Sequence, residues 1–253
     1  MITLPDVQPT DKIVVHFSCG AASAVAAWIA CDLYPGQVRL LNNPVAEEDQ
    51  DNRRFLRDVE AWTGVGVEES KNRDFPNASA VEVWAGRRYM SGIKGAPCTM
   101  LLKKQARQQW EADNPVDWHV FGFTADEEIR HKRFVLTERP NVLPLLIAFG
   151  LDKQACFDIC TARGLKLPRI YDVLPNANCI GCVKAKSPTY WNAVREHFPE
   201  VFAARAAQAR DIGVKLVSVK GKRIQLDELD PKARGRPMKT LKMPECGVIC
   251  EER

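Results

Sequence analysis

Apolar and polar positions along the chain mark out a succession of elements. KIVVHF (12–17) is a short β-branched run with an unbroken apolar centre, the pattern of a strand buried on both faces. AASAVAAWIAC (21–31) is small and apolar all round and predicts a buried helix. VRLLN (38–42) reads as a second strand. In DNRRFLRDVEAWTG (51–64), Phe55, Val59 and Trp62 recur at helical spacing, and Gly64 is the stop. WHVFGF (118–123) reads as a third strand. DKQACFDICTARG (152–164) predicts a helix capped by Asp152 and ended by Gly164. SPTYWNAVREHF (187–198) predicts another, with Ser187 as cap and Pro188 at its first position. VKLVSVKGKRIQL (214–226) has the pattern of a hairpin.

Strand, helix, strand, helix, strand predicts an α/β fold: a Rossmann-like parallel sheet with helices on both faces. No internal repeat or low-complexity linker divides the 253 residues, a length that suits one sizeable core. The expectation is a single domain over 1–253, whose cysteine-bearing C-terminal part (165–253) folds back over the site. No apolar stretch approaches the roughly 20 residues of a membrane span, and MITLPDVQPT lacks the basic and apolar regions of an export signal. A cytoplasmic protein with no membrane partner is expected.

In a reducing compartment, grouped cysteines point to metal or redox chemistry more than to disulfides. Of the nine cysteines, Cys179 and Cys182 form NCIGC, Cys246 and Cys250 form ECGVIC, Cys98 stands in GAPCT, and Cys19 lies in the loop after the first strand. Two thiolates on a CxxC turn can hold one metal or two corners of a cluster, and the spacing by itself does not separate zinc from iron. Cys31, Cys156 and Cys160 read as core positions, Trp62, Trp84, Trp110, Trp118 and Trp191 as core or helix-packing residues, and His16 as a core histidine. The net charge of +4 lies wholly in the segment from Lys215 onward, with ten basic against six acidic residues. That segment suits an anionic partner.

The loop HFSCGAAS (16–23) leaves a buried strand and enters a helix, where free backbone N–H groups and the positive dipole end favour phosphate. Ser18, Gly20 and Ser23 offer no bulky side chain against it. VVHFSCGAASAVAA resembles the modified phosphate loop, SGGxxS, of the adenine nucleotide α-hydrolase superfamily, which includes the ATP pyrophosphatases and the phosphoadenylyl-sulfate (PAPS) and adenylyl-sulfate reductases. GAPCTMLLKK resembles their cysteine–threonine–lysine segment. FGFTADEEIRHKRF is similar to the strand and loop carrying the reductases' sulfate-binding arginine. NCIGCV resembles the CxxC of iron–sulfur members, and PECGVIC the reductase tail. These matches run in the family's order from about residue 12 to 250, closest in pattern to PAPS reductase-like proteins of iron–sulfur type carried by phages and bacteria.

The resemblance implies an adenine nucleotide held by the loop Ser18, Cys19, Gly20, Ala22 and Ser23, with Asn43 beside the adenine or ribose. It makes Arg130 the sulfate-binding cation and Cys246 the tail nucleophile. It also implies a [4Fe-4S] cluster in preference to zinc, with Cys98, Cys179, Cys182 and Cys250 as ligands. Pro97 stands where the reductases have a second cysteine, so three ligand sets remain open. Cys250 or Cys246 supplies the fourth ligand; or Cys98, Cys179 and Cys182 alone leave one iron open, as in sulfur-transfer members; or the two pairs make a four-thiolate site without Cys98. Ala22 replaces the aspartate of ATP pyrophosphatases, and Cys19 the usual glycine, which favours nucleotide binding over pyrophosphate release. The leading expectation is an oxidoreductase of sulfur groups acting on an adenylylated sulfate, with a thiol or electron-donor protein as partner. The rivals are a nucleic-acid sulfurtransferase that holds the polymer on the basic C-terminal segment, and a nucleotide-sensing or nucleic-acid-binding protein with a structural metal. A homo-oligomer is compatible with all three.

Overall fold

The computed structural model of the protein describes residues 2–92 and 95–241. Five strands, β1 (Ile13–His16), β2 (Val38–Asn42), β3 (Val67–Glu69), β4 (Trp118–Val120) and β5 (Val142–Leu143), form one sheet in the order β3-β2-β1-β4-β5. Every pairing is parallel, and Ile13 of the central strand lies opposite Val38 on one side and Trp118 on the other. Ile13, Val14 and Val15 have no exposed surface. That is why β1 reads as an unbroken apolar run: right-handed crossovers from a strand order that reverses at β1 cover both faces with helices.

The helices are α1 (Ala21–Leu33), α2 (Asn52–Thr63), α3 (Ala80–Arg87), α4 (Ala106–Asp113), α5 (Glu128–Thr137), α6 (Leu145–Ala148), α7 (Lys153–Ala162), α8 (Pro188–His197) and α9 (Pro199–Ile212). Strands β6 (Val217–Val219) and β7 (Lys222–Ile224) make the expected antiparallel hairpin. The caps fall where the sequence puts them. Asp152 accepts from Ala155 N–H at 2.8 Å, Ser187 accepts from Thr189 N–H at 3.2 Å, and Gly64 closes α2. No helix among the described residues is long and apolar enough to cross a membrane.

Two sequence expectations change. WHVFGF pairs only as far as Val120; the chain then folds on itself, with Phe123 N–H donating to Phe121 O at 2.8 Å. It is the fourth strand, because β3 precedes it; β3 and β5, of three and two residues, are too short to show a period. Cys31 is only half-buried, whereas Cys156 and Cys160 are fully buried, as expected of core positions. The chain also forms two compact units. A sheet unit takes the chain up to Pro44, Gln50–Ser70 and Ala106–Pro168; a cysteine unit takes Val45–Asp49, Lys71–Gln105 and the chain from Arg169.

Within the sheet unit, α1 packs against α2, α6 and α7. Trp110 of α4 is buried with Val14 and Leu41 on a face they share. The cysteine unit has its own core, in which Val83 and Trp84 of α3, Leu101 and Leu102, Trp191 and Val194 of α8, and Ala206 and Ala209 of α9 are packed together. Thr99–Gln105 in this unit winds as a π-helix, a rare geometry that is frequent at functional sites. Buried Asn72 donates to Leu101 O in it at 2.9 Å.

Candidate functional site

The sheet unit holds the phosphate-type loop where the strand order reverses. Ser23 closes it: its hydroxyl accepts from Ser18 N–H at 3.1 Å, donates to Gly20 O at 2.9 Å and lies 3.2 Å from Ser18 Oγ. Asn42 donates to Phe17 O at 2.7 Å and reaches Cys19 Sγ at 3.6 Å. Cys19 has φ +57° and is 3% exposed, so the chain keeps a glycine-like backbone and turns the thiol inward. Helix α1 has no side-chain cap at Gly20 and no acid in its first turn. Its first N–H groups and positive dipole end therefore suit an anion.

Gly122, just past β4, is a partner that sequence reading did not single out. A Cβ there would lie 2.9 Å from Ser23 N and 3.2 Å from the Ala22 carbonyl carbon. Only glycine lets this chain pass so close to the start of α1. Asn43 donates to Ser70 O at 2.9 Å, tying the end of β2 to the end of β3. Arg130, on α5, is mostly buried, pairs with Glu127 at 2.5 Å and stacks over Phe123.

His16 is half-buried and belongs to a polar network rather than to the apolar core. Its Nε2 lies 3.1 Å from His119 Nδ1, its ring stacks on Phe121, and its Nδ1 is buried without a hydrogen-bond partner. Donor atoms of His16, His119 and Glu111 lie within 4.8 Å of one another, a spacing a metal would accept. Arg139, however, grips the Glu111 carboxylate at 2.8 and 3.0 Å, and Arg107 lies 3.5 Å from it. Two guanidiniums on one carboxylate oppose a further dication. Burial, then Arg139 and Arg107, pull His119 down to about 3. Burial, Arg107, His119 and Arg139 hold His16 well below the usual range, so both rings are neutral.

The cysteine unit gathers Cys98, Cys179 and Cys182 in one core, each 6–8% exposed. The CxxC turn is pinned at three successive residues. Ile180 N–H donates to Glu47 O at 2.9 Å, Gly181 O accepts from Arg205 Nε at 3.3 Å, and Cys182 N–H donates to Tyr190 Oη at 2.9 Å. Gly181 has φ +69°, a backbone that favours glycine, and a Cβ there would press on Val201 Cγ1 at 3.1 Å. Glu47 also caps α3, accepting from Ser79 Oγ at 2.7 Å and Ala80 N–H at 2.8 Å.

Arg205 supplies the charge of this centre. It is 3% exposed, its guanidinium lies 4.1 Å from the centre of the Trp84 ring, and its hydrogen bonds go to the neutral Gly181 O and Gln208 Oε1. It makes no ion pair among the described residues. Burial lowers its pKa, while Glu47, Cys179, Cys182 and Cys98 act together to raise it, which puts all three cysteines within the field of one guanidinium. Burial, with Cys182 and Cys179, pushes the Tyr190 hydroxyl well above its usual range. A buried cation is costly without compensating negative charge, which thiolates on a metal would provide.

The tail cysteines Cys246 and Cys250 lie outside the described residues. Arg205 and Tyr190 escaped sequence reading, although α9 carries a signal. Phe202, Arg205, Ala206 and Ala209 form its buried stripe, and an arginine on such a stripe needs a partner inside.

No protein-family model matches the chain, and no curated protein does. Among solved structures it is similar to the U34-tRNA thiolase NcsA from Methanococcus maripaludis with its [4Fe-4S] cluster. The identity is 11%, the match covers 81% of this chain and 71% of that one, and the TM-score is 0.44.

Proposed function

We propose that the protein is a nucleotide-dependent sulfurtransferase of the adenine nucleotide α-hydrolase type, with a [4Fe-4S] cluster on Cys98, Cys179 and Cys182. The observation that carries this reading is the buried Arg205 beside three buried cysteines, without a carboxylate ion pair among the described residues. The donor set fits: three thiolates are soft ligands, and the guanidinium offsets the negative charge of a thiolate-bound cluster. When bound, a cluster held by three cysteines supplies an iron with an open position for sulfur.

The residues of the chain do the rest. Backbone N–H groups at the start of α1 take the nucleotide phosphates, and Ser23 holds the loop in shape. Attack of an acceptor oxygen on the α-phosphorus of ATP would expel pyrophosphate and make that oxygen a leaving group, which a sulfur nucleophile then displaces with AMP. With Ala22 in place of the pyrophosphatases' aspartate, the pyrophosphate step is the demanding one. Arg205, Tyr190 and Glu47 hold the CxxC turn rigid. Transfer is favoured over sulfate reduction because Arg130, the cation a sulfate donor would need, is already paired with Glu127.

Anaerobic purification with iron, sulfide and zinc analysis tests the reading. A brown protein is expected, with Cys98→Ser, Cys179→Ser and Cys182→Ser each losing most of the iron. A colourless protein with one tightly held zinc per chain would overturn the cluster. Sulfite release from PAPS or adenylyl sulfate would return the reading to reduction.

A further inference from the structure

We infer that the exposed cations of the β6–β7 hairpin and the segment after it form a docking face for a nucleic-acid backbone. The docking face rests on the charges alone and stands apart from the reading above.

Elsewhere among the described residues, many exposed cations are answered by acids: Arg39 by Glu68, Arg53 by Glu69, Lys132 by Glu128 and Arg88 by Asp211. Lys220, Lys222, Arg223, Lys232, Arg234 and Arg236 differ. All are exposed. Arg223 and Arg234 donate only to backbone carbonyls, those of Lys215 and Leu216 and of Pro231 and Ala233 respectively. The acids of this stretch are committed elsewhere, Asp227 and Glu228 to Arg210 and Asp230 to the Lys232 N–H. Asp230 is the one acid here not paired with Arg210, so a net positive field is left facing solvent.

Both cationic segments are fastened to the start of α8. Ser218 N–H of the hairpin donates to Lys186 O at 2.9 Å, and Gly235 N–H donates to Thr189 Oγ1 at 2.8 Å. Gly235 passes so close that a Cβ on it would lie 3.0 Å from Pro188 Cδ. Pro188 follows Cys182 by six residues, so the start of α8 is at most about 20 Å from that cysteine. The point where both segments are fastened therefore lies within about six nucleotide rises of the CxxC turn.

The chemistry of the face selects polyphosphate over an acidic protein. Protein interfaces have an apolar core inside a polar rim. The exposed large apolar side chains, Leu33, Val81, Met100, Ile129, Leu136 and Phe149, all lie outside 212–241. Charge without apolar surface is how proteins hold a phosphate backbone.

The test is fluorescence anisotropy on the full chain, with labelled RNA hairpin, single-stranded RNA, single-stranded DNA and duplex DNA of equal length. Salt is varied from about 50 to 200 mM, the range over which phosphate contacts are most visible. The expected result is binding of at least one polymer that weakens steeply with salt. The triple variant Lys222→Glu, Arg223→Glu, Arg236→Glu should bind about 100-fold less tightly, with a log–log salt slope smaller by about 2 to 3. Its circular dichroism and metal content should match the parent. The polymer bound most tightly identifies the backbone as RNA or DNA. An unchanged affinity in the variant, no binding by the parent at the lowest salt, or tighter binding of polyglutamate than of any nucleic acid overturns the docking face. If the parent lacks iron yet binds RNA or DNA through these cations, the sulfurtransferase reading fails and the docking face stands.

Discussion

Cys19 and Gly122 show how far single positions shape the loop. An L-residue at φ +57° costs roughly 1–2 kcal/mol, and Cys19 offsets this by burying its thiol beside Asn42. Cys19→Gly should therefore leave stability within roughly 1 kcal/mol of the parent. Cys19→Val should lose roughly 2 kcal/mol or more, because a β-branched side chain is poorly tolerated at positive φ. Urea midpoints of the two variants check this, and a Val variant as stable as the Gly one would contradict it. At Gly122 an added methyl meets backbone, which cannot swing aside as a side chain can. Gly122→Ala should cost roughly 1–3 kcal/mol of stability and lower adenine-nucleotide affinity about tenfold or more, measured by calorimetry. Ser23→Glu, which places a negative charge among the first N–H groups of α1, should block binding outright while the protein stays folded. Nucleotide binding unchanged in both variants would reduce the loop to a turn.

At the scale of elements, His16 on β1 and His119 on β4 meet Arg107 and Glu111 of α4, with Arg139 completing the contact from beyond α5. Both histidines have folded pKa values below the unfolded value of about 6.5. The unfolded chain therefore binds more protons as pH falls below that value. The stabilisation is fully present above about pH 6.5 and is lost on acidification. His119, pulled to about 3, should alone cost about 2 kcal/mol between pH 7 and pH 5, a window above most carboxylate titration. His119→Gln should flatten the stability profile in that window. A variant profile parallel to the parent's would show that the ring protonates without unfolding anything.

Over the whole molecule, two cores behave as two responders. If the proposed cluster is bound, chelation would take the negative charge from beside Arg205 and the cross-link from between Cys98 and the CxxC turn, so the loss of stability should centre on the cysteine unit. Hydrogen exchange after chelation should rise in 71–92 and 169–212 and stay nearly constant in 13–42. Equal increases in both regions would mean that the metal holds the entire chain. The sequence alone determined what is local. The unbroken run of β1, the amphipathic period of α2, the caps Asp152 and Ser187, the hairpin and the small-residue loop were legible because each is encoded within a few adjacent residues. The placement of Cys98 in the core that holds Cys179, 81 positions later, was suggested only by resemblance. Strands β3 and β5 were silent because two or three residues carry no period. The approach of Gly122 to Ser23, the pairing of His16 with His119 and the burial of Arg205 beside the thiols were decided by tertiary structure. Each joins residues far apart in the chain, and which distant side chains meet depends on how whole elements pack, information that no local pattern contains.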